Sequence, residues 1–126
     1  MYFKQFTMKK IFFAILLSLF TISVWAQDNL PGIWKTDKDN TLVKIEKQDG
    51  LFIGKVISSD DKDVTPGTVV IKDTKIEKGI LKGQLYLFKK KSWFQATFKM
   101  EDNKLKVTGK WTIFSHSVLW TRAENG

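Results

Sequence analysis

From Phe94 to Trp111 the chain alternates apolar and polar residues with a period of two. Phe94, Ala96, Phe98 and Met100 alternate with Gln95, Thr97 and Lys99, and Leu105, Val107, Gly109 and Trp111 alternate with Lys106, Thr108 and Lys110. Successive side chains of a β-strand point to opposite faces, so the pattern describes two strands with one face buried and one in water. The polar Glu101-Asp102-Asn103-Lys104 between them makes the pair a hairpin. A helix would bury a stripe recurring roughly every three to four residues, and no long stretch of that kind competes.

The same period returns upstream, where Val43 and Ile45 alternate with Lys44 and Glu46 ahead of Gln48-Asp49-Gly50. Asp-Gly tolerates the positive φ of a tight hairpin turn, and the chain then runs back through Leu51 to Ile57. Further strands are expected near residues 32–36, 68–73, 80–88 and 117–122, for about eight in all. Pro31 and Pro66 lie outside these runs, where a missing amide donor costs nothing. Successive hairpins favour a meander, and closing it removes the exposed edges of a chain rich in β-formers. The expected fold is all-β, a single antiparallel up-and-down β-barrel.

Ahead of this domain, Lys4, Lys9 and Lys10 precede an uncharged apolar run from Ile11 to Trp25 that ends in Val24-Trp25-Ala26. A charged start, a short apolar stretch and a small residue at the end form a signal peptide. Lys9 and Lys10 alone would supply the charge if translation began at Met8. Residues 1–26 are therefore read as a cleaved signal and 27–126 as the barrel domain, beginning at Gln27 and located in a bacterial-type periplasm or secreted. The apolar run is shorter than the roughly 20 residues that span a bilayer, so no membrane span is expected once the signal is removed.

The chain has no cysteine. Lipid attachment at the cleavage site, disulfides, thiol nucleophiles and thiolate metal sites are all excluded by that count. Core packing then falls to the ten aromatic residues beyond the signal: Trp34, Phe52, Tyr86, Phe88, Trp93, Phe94, Phe98, Trp111, Phe114 and Trp120. Removing the three signal lysines lowers the formal charge from +8 to +5. The remaining lysines are spread along nearly every segment, which describes solvated outer faces and not a nucleic-acid binding face.

Gly32-Ile33-Trp34 opens the first expected strand and Trp120-Thr121-Arg122 closes the last. This resembles the calycin superfamily of lipocalins and fatty-acid-binding proteins. That resemblance implies a tryptophan at the barrel base, here Trp34, covered by an arginine of the final strand, here Arg122. Together with Phe52-Ile53-Gly54-Lys55-Val56, Lys82-Gly83-Gln84-Leu85-Tyr86 and Leu105-Lys106-Val107-Thr108-Gly109, the chain is more narrowly similar to an uncharacterised family of exported bacterial calycin-like domains, over about residues 30–122. It departs from that family in lacking the Asp-x-x-Asn-Pro segment and the Pro-x-x-Gly turn, with Phe88-Lys89-Lys90-Lys91-Ser92 in place of the latter. The family carries no activity to transfer. Independently of it, a guanidinium can stack on an indole and bond the open carbonyls at a barrel end, a closing role for Trp34 and Arg122, to which the resemblance adds Gly32 and Trp120 of the same motifs.

Catalytic signals are thin. The sole histidine, His116, sits in Ser115-His116-Ser117, but adjacency in sequence does not assemble a nucleophile, base, orienting acid and oxyanion hole, so a polar loop is expected. Ser58-Ser59-Asp60-Asp61-Lys62-Asp63 lacks the glycine and final glutamate of a calcium loop and reads as a solvated loop. No metal, cofactor or catalytic residue is expected.

Two binding features remain. Phe94, Ala96, Phe98, Met100, Leu105, Val107, Gly109 and Trp111 face inward by alternation, and they would line an apolar cavity if the small Ala96 and Gly109 meet in register. Lys89, Lys90 and Lys91, followed by an outward Trp93, form a cationic tip suited to an anionic envelope surface. The expected function is that of an exported, non-catalytic binding module for a small apolar or amphipathic molecule. The alternative is a filled barrel acting through its surface.

Overall fold

Two turns in the computed structural model, which describes residues 29–123, show how the local sequence sets the strand register. Asp49 and Gly50 have φ of 52° and 81°, and Lys78 and Gly79 have 52° and 78°. Positive φ at both central residues matches the right-handed twist of flanking strands, so each pair closes a two-residue hairpin. Eight strands result: β1 (Gly32–Lys35), β2 (Leu42–Gln48), β3 (Leu51–Ser58), β4 (Val69–Glu77), β5 (Ile80–Leu87), β6 (Ser92–Glu101), β7 (Lys104–Trp111) and β8 (Phe114–Arg122). Each pairs antiparallel with the next, and β8 pairs with β1 to close an up-and-down barrel. The expected signal peptide and its cleavage site lie outside the described residues.

The turns divide between two ends. Those at Asp49-Gly50, Lys78-Gly79 and Asp102-Asn103 share one end with the entering segment Asn29-Leu30-Pro31 and with Arg122, here called the closed end. The loops at 36–41, 59–68, 88–91 and 112–113 share the other, the open end. Trp34, Val43, Ile45, Phe52, Val56, Val70, Ile71, Leu81, Leu85, Ala96, Phe98, Leu105, Val107 and Trp120 are buried, each an inward member of its strand. This burial is the main driving force of the fold.

Two segments differ from their expected extents. β4 continues past Asp73 to Glu77, because Asp73 takes a φ of 52° and resets the alternation, turning Thr74 inward. β8 begins at Phe114, so Ser115, His116 and Ser117 belong to a strand and not to a polar loop; their pairing with Lys110, Gly109 and Thr108 outweighs their turn-forming composition.

The barrel is least continuous where it closes. β1 has four residues, and β8 meets it through two pairs, Trp34 with Arg122 and Lys35 with Thr121. The stretch of β8 from Phe114 to Trp120 lies beyond the end of that ladder.

Candidate functional site

At the closed end Trp34 is completely buried, and its Nε1 donates to the Leu30 carbonyl at 2.9 Å. The Arg122 guanidinium carbon sits 4.2 Å from the centre of the indole. Its Nη1 donates to the Pro31 carbonyl at 3.2 Å and its Nη2 to the Asn29 carbonyl. Gly32, with φ of 141°, passes so close to Nη1 that any side chain there would collide with it. Trp120 is buried opposite Leu105. Trp34 and Arg122 thus form a stacked and hydrogen-bonded cluster with the Asn29–Pro31 backbone, with Gly32 passing close beside it. A surface depression of about 210 Å³ lies over it, lined by Asn29, Pro31, Met100, Asp102, Asn103 and Arg122.

The inward rows divide along the barrel axis. Phe98 faces Val107, and Met100 faces Leu105. Phe98, Leu105, Val107 and Ala96 are buried core, and Met100 packs half-buried against it. Higher up, Gly83 lies opposite Ala96, Ala96 opposite Gly109, and Gly109 opposite His116. Three small residues thus fall in one row across β5, β6 and β7. At Gly83 the vacated space is filled, since an added Cβ would meet Thr74 Cγ2 at 2.8 Å. At Gly109 an added Cβ would have no neighbour within 4 Å among the described side chains. Gly109 and Phe94 are half-buried, and His116 is exposed. The side chain of Trp111 lies outside the description. Toward the open end the β2–β5 side is packed with the buried Val43, Val56, Val70 and Leu85, joined by Val64 from the 59–68 loop, whereas the β6–β8 side carries the half-buried Phe94 and Gly109 and the exposed His116.

His116 points inward with Gly109, which places Ser115 and Ser117 on the opposite face of β8. Ser117 Oγ instead shares a hydrogen bond of 2.8 Å with Thr108 Oγ1. No relay joins the serines to the imidazole. The acidic loop is likewise occupied in holding itself: Asn40 Nδ2 donates to Asp60 at 2.6 Å, and Asp61 accepts from the Asp63 amide at 2.9 Å. Among the described residues no three His, Asp or Glu side chains gather as a metal site, and no helix is long and apolar enough to cross a membrane.

The outer wall holds Trp93, half-buried and paired across the strands with Tyr86. The two rings are 5.4 Å apart at 66°, Phe88 stands 5.1 Å from Tyr86, and Lys72 Nζ covers Trp93 at 4.2 Å. Trp93 is thus engaged on the wall and does not join Lys89, Lys90 and Lys91 at the tip of the β5–β6 turn. Beside it, a groove of about 340 Å³ runs over Gly83 and Ala96 between Lys75, Glu77, Lys82 and Lys110. Glu77 accepts from Lys75 at 2.8 Å and Lys82 at 3.0 Å. The hydrogen bond from Lys75, then that from Lys82, holds its carboxyl below the ordinary value.

No protein-family model, curated protein or solved structure matches the chain. The fold is compatible with a calycin-like barrel on its architecture alone. At the tip where β7 turns into β8, Phe114 does not join the core as expected but is 62% exposed, and Ile113 beside it is 90% exposed.

Proposed function

We propose that the chain is an exported, non-catalytic barrel that takes one small apolar or amphipathic molecule through its open end. The observation that carries this reading is the row Gly83, Ala96 and Gly109, whose last member has no neighbour within 4 Å of an added Cβ among the described side chains. Phe94 and the exposed His116 beside it offer an apolar wall and one polar group, a lining suited to an amphipathic molecule. The charged start and apolar run of residues 1–26 support export.

Titration with fatty acids and an apolar dye tests it, comparing wild type with Gly109→Leu. Wild type should enhance dye emission, and ligand should raise its melting temperature with occupancy. Gly109→Leu should lose both responses while remaining folded, because the new side chain meets none of the described side chains at its Cβ. Absence of any response at high ligand concentration would overturn the reading. A filled barrel acting through its surface is the competing account, favoured in the closed half by the full burial of Trp34, Phe98 and Leu105.

A further inference from the structure

We propose that the open end docks on an anionic lipid surface, with Ile113 and Phe114 entering the headgroup layer and Lys89, Lys90 and Lys91 lying against the lipid phosphates. This goes beyond ligand binding and does not depend on it. The topology brings the two tips together: the β5–β6 and β7–β8 turns belong to successive hairpins and emerge at the same end. One tip presents three exposed lysines and the other two exposed large apolar side chains.

Polar residues and glycine normally occupy a turn apex in water, for conformational reasons. Here Thr112 takes a φ of 52°, a region β-branched residues avoid, and Ile113 follows it with 90% of its surface in solvent. An apex of this kind gains free energy only when an apolar phase receives it. A nucleic acid or acidic polysaccharide would engage the lysines but offer no such phase to isoleucine, whereas a bilayer interface supplies phosphate and hydrocarbon at adjacent depths.

Charge sets the orientation. No acidic residue occurs from Ile80 to Met100 or from Asn103 to Ala123. The carboxylates of the open end, Asp37, Asp39, Asp60, Asp61 and Asp63, all belong to the two loops flanking β2 and β3. An anionic surface therefore attracts the β5–β8 side and repels the opposite side, tilting the barrel onto its apolar tip.

The test uses protein recovered from the envelope of an exporting host and vesicles of phosphatidylcholine with or without phosphatidylglycerol. Wild type should sediment with the anionic vesicles, and added salt should weaken this. Replacing Lys89, Lys90 and Lys91 with Ser should lower partitioning on the order of 100-fold, and Ile113→Ser with Phe114→Ser should also lower it. Because the chain has no cysteine, an environment-sensitive fluorophore on Ile113→Cys reports the tip alone. Its emission should shift to the blue with anionic vesicles, while the same label on Asn103→Cys at the closed end should not respond. The proposal is overturned if wild type does not bind, if neither set of tip variants changes binding, or if the label at 113 stays in water. A dimer dissolved by Ile113→Ser without vesicle binding would also overturn it, placing a second copy of the chain on the tip.

Discussion

The hydroxyl of Thr74 accepts a hydrogen bond from the amide of Phe52 and donates one to the carbonyl of the same residue, each 2.8 Å long. Register pairing between β3 and β4 covers Gly54 with Ile71 and Lys55 with Val69, and the bulge at Asp73 would leave the backbone of Phe52 without a partner. The side chain stands in for a missing rung of the ladder. Thr74→Val, of similar shape, should destabilise the barrel by about 1–3 kcal/mol because two buried backbone groups lose their partner. Thr74→Ser should recover most of this in chemical denaturation, and equal losses for the two variants would contradict the bridging role.

Trp34 and Arg122 should behave as a coupled pair. Trp34→Ala removes a fully buried indole and should cost about 3–5 kcal/mol. Arg122 is exposed on its outer side, so Arg122→Ala should cost about 1 kcal/mol, within the range of a partly solvated cation–π contact. A double-mutant cycle by urea denaturation should show the two losses to be non-additive.

Acid should remove a contribution that Glu77 makes at neutral pH. Its folded pKa lies below the ordinary value, owing first to Lys75 and then to Lys82. A carboxyl depressed on folding stabilises above its unfolded pKa, and the effect disappears as pH falls through the folded one. The melting temperature of Glu77→Gln should therefore fall below wild type near neutrality and converge with it once the pH falls through the depressed folded pKa of Glu77. The difference should be small, since both ion pairs are exposed.

Substituting Ser for Lys89, Lys90 and Lys91 should leave folding stability within about 0.5 kcal/mol, as expected of an exposed turn. Thermal melting without vesicles checks this, and a larger loss would mean that the tip serves the fold.

Local signals were enough for much of this architecture. The alternation of Phe94 to Trp111, the Asp49-Gly50 turn and the sequential hairpins are short-range features, and they led to an eight-stranded meander. The extent of β4 was hidden because one residue in left-handed conformation, Asp73, reverses which positions face inward, and nothing in its neighbours marks it. Ser115 to Ser117 resembled a loop by composition because their strand character comes from the β7 ladder. At the candidate site, the inward faces of Ala96 and Gly109 followed from period two, but their pairing, and the alignment of Gly83 with them, depends on register between strands. Trp93 was legible as an indole on the wrong face. The residue that covers it, Lys72, arrives from β4 and leaves no trace near Trp93 in the sequence. The converse holds at the β7–β8 tip, where Phe114, counted with the core aromatics, and Ile113 are exposed, since apolar residues beside a strand ordinarily read as its buried continuation.

Closing the ring joins residues as distant as Pro31 and Arg122, 91 positions apart, whereas every other strand pairs with its immediate neighbour in sequence. Loop-closure entropy makes that long-range union the slowest to assemble, so the meander should form as a curved ribbon before its edges meet. The two-rung seam is also where the native cylinder should reopen first. In native-state hydrogen exchange, amides of the β1–β8 seam should lose protection at lower free energy than those of β6 and β7, through partial opening rather than global unfolding. The molecule would then behave as a stable sheet held shut by a weak clasp, and mechanical or thermal stress would spread it open along Lys35 and Thr121 while the remaining hairpins stay intact.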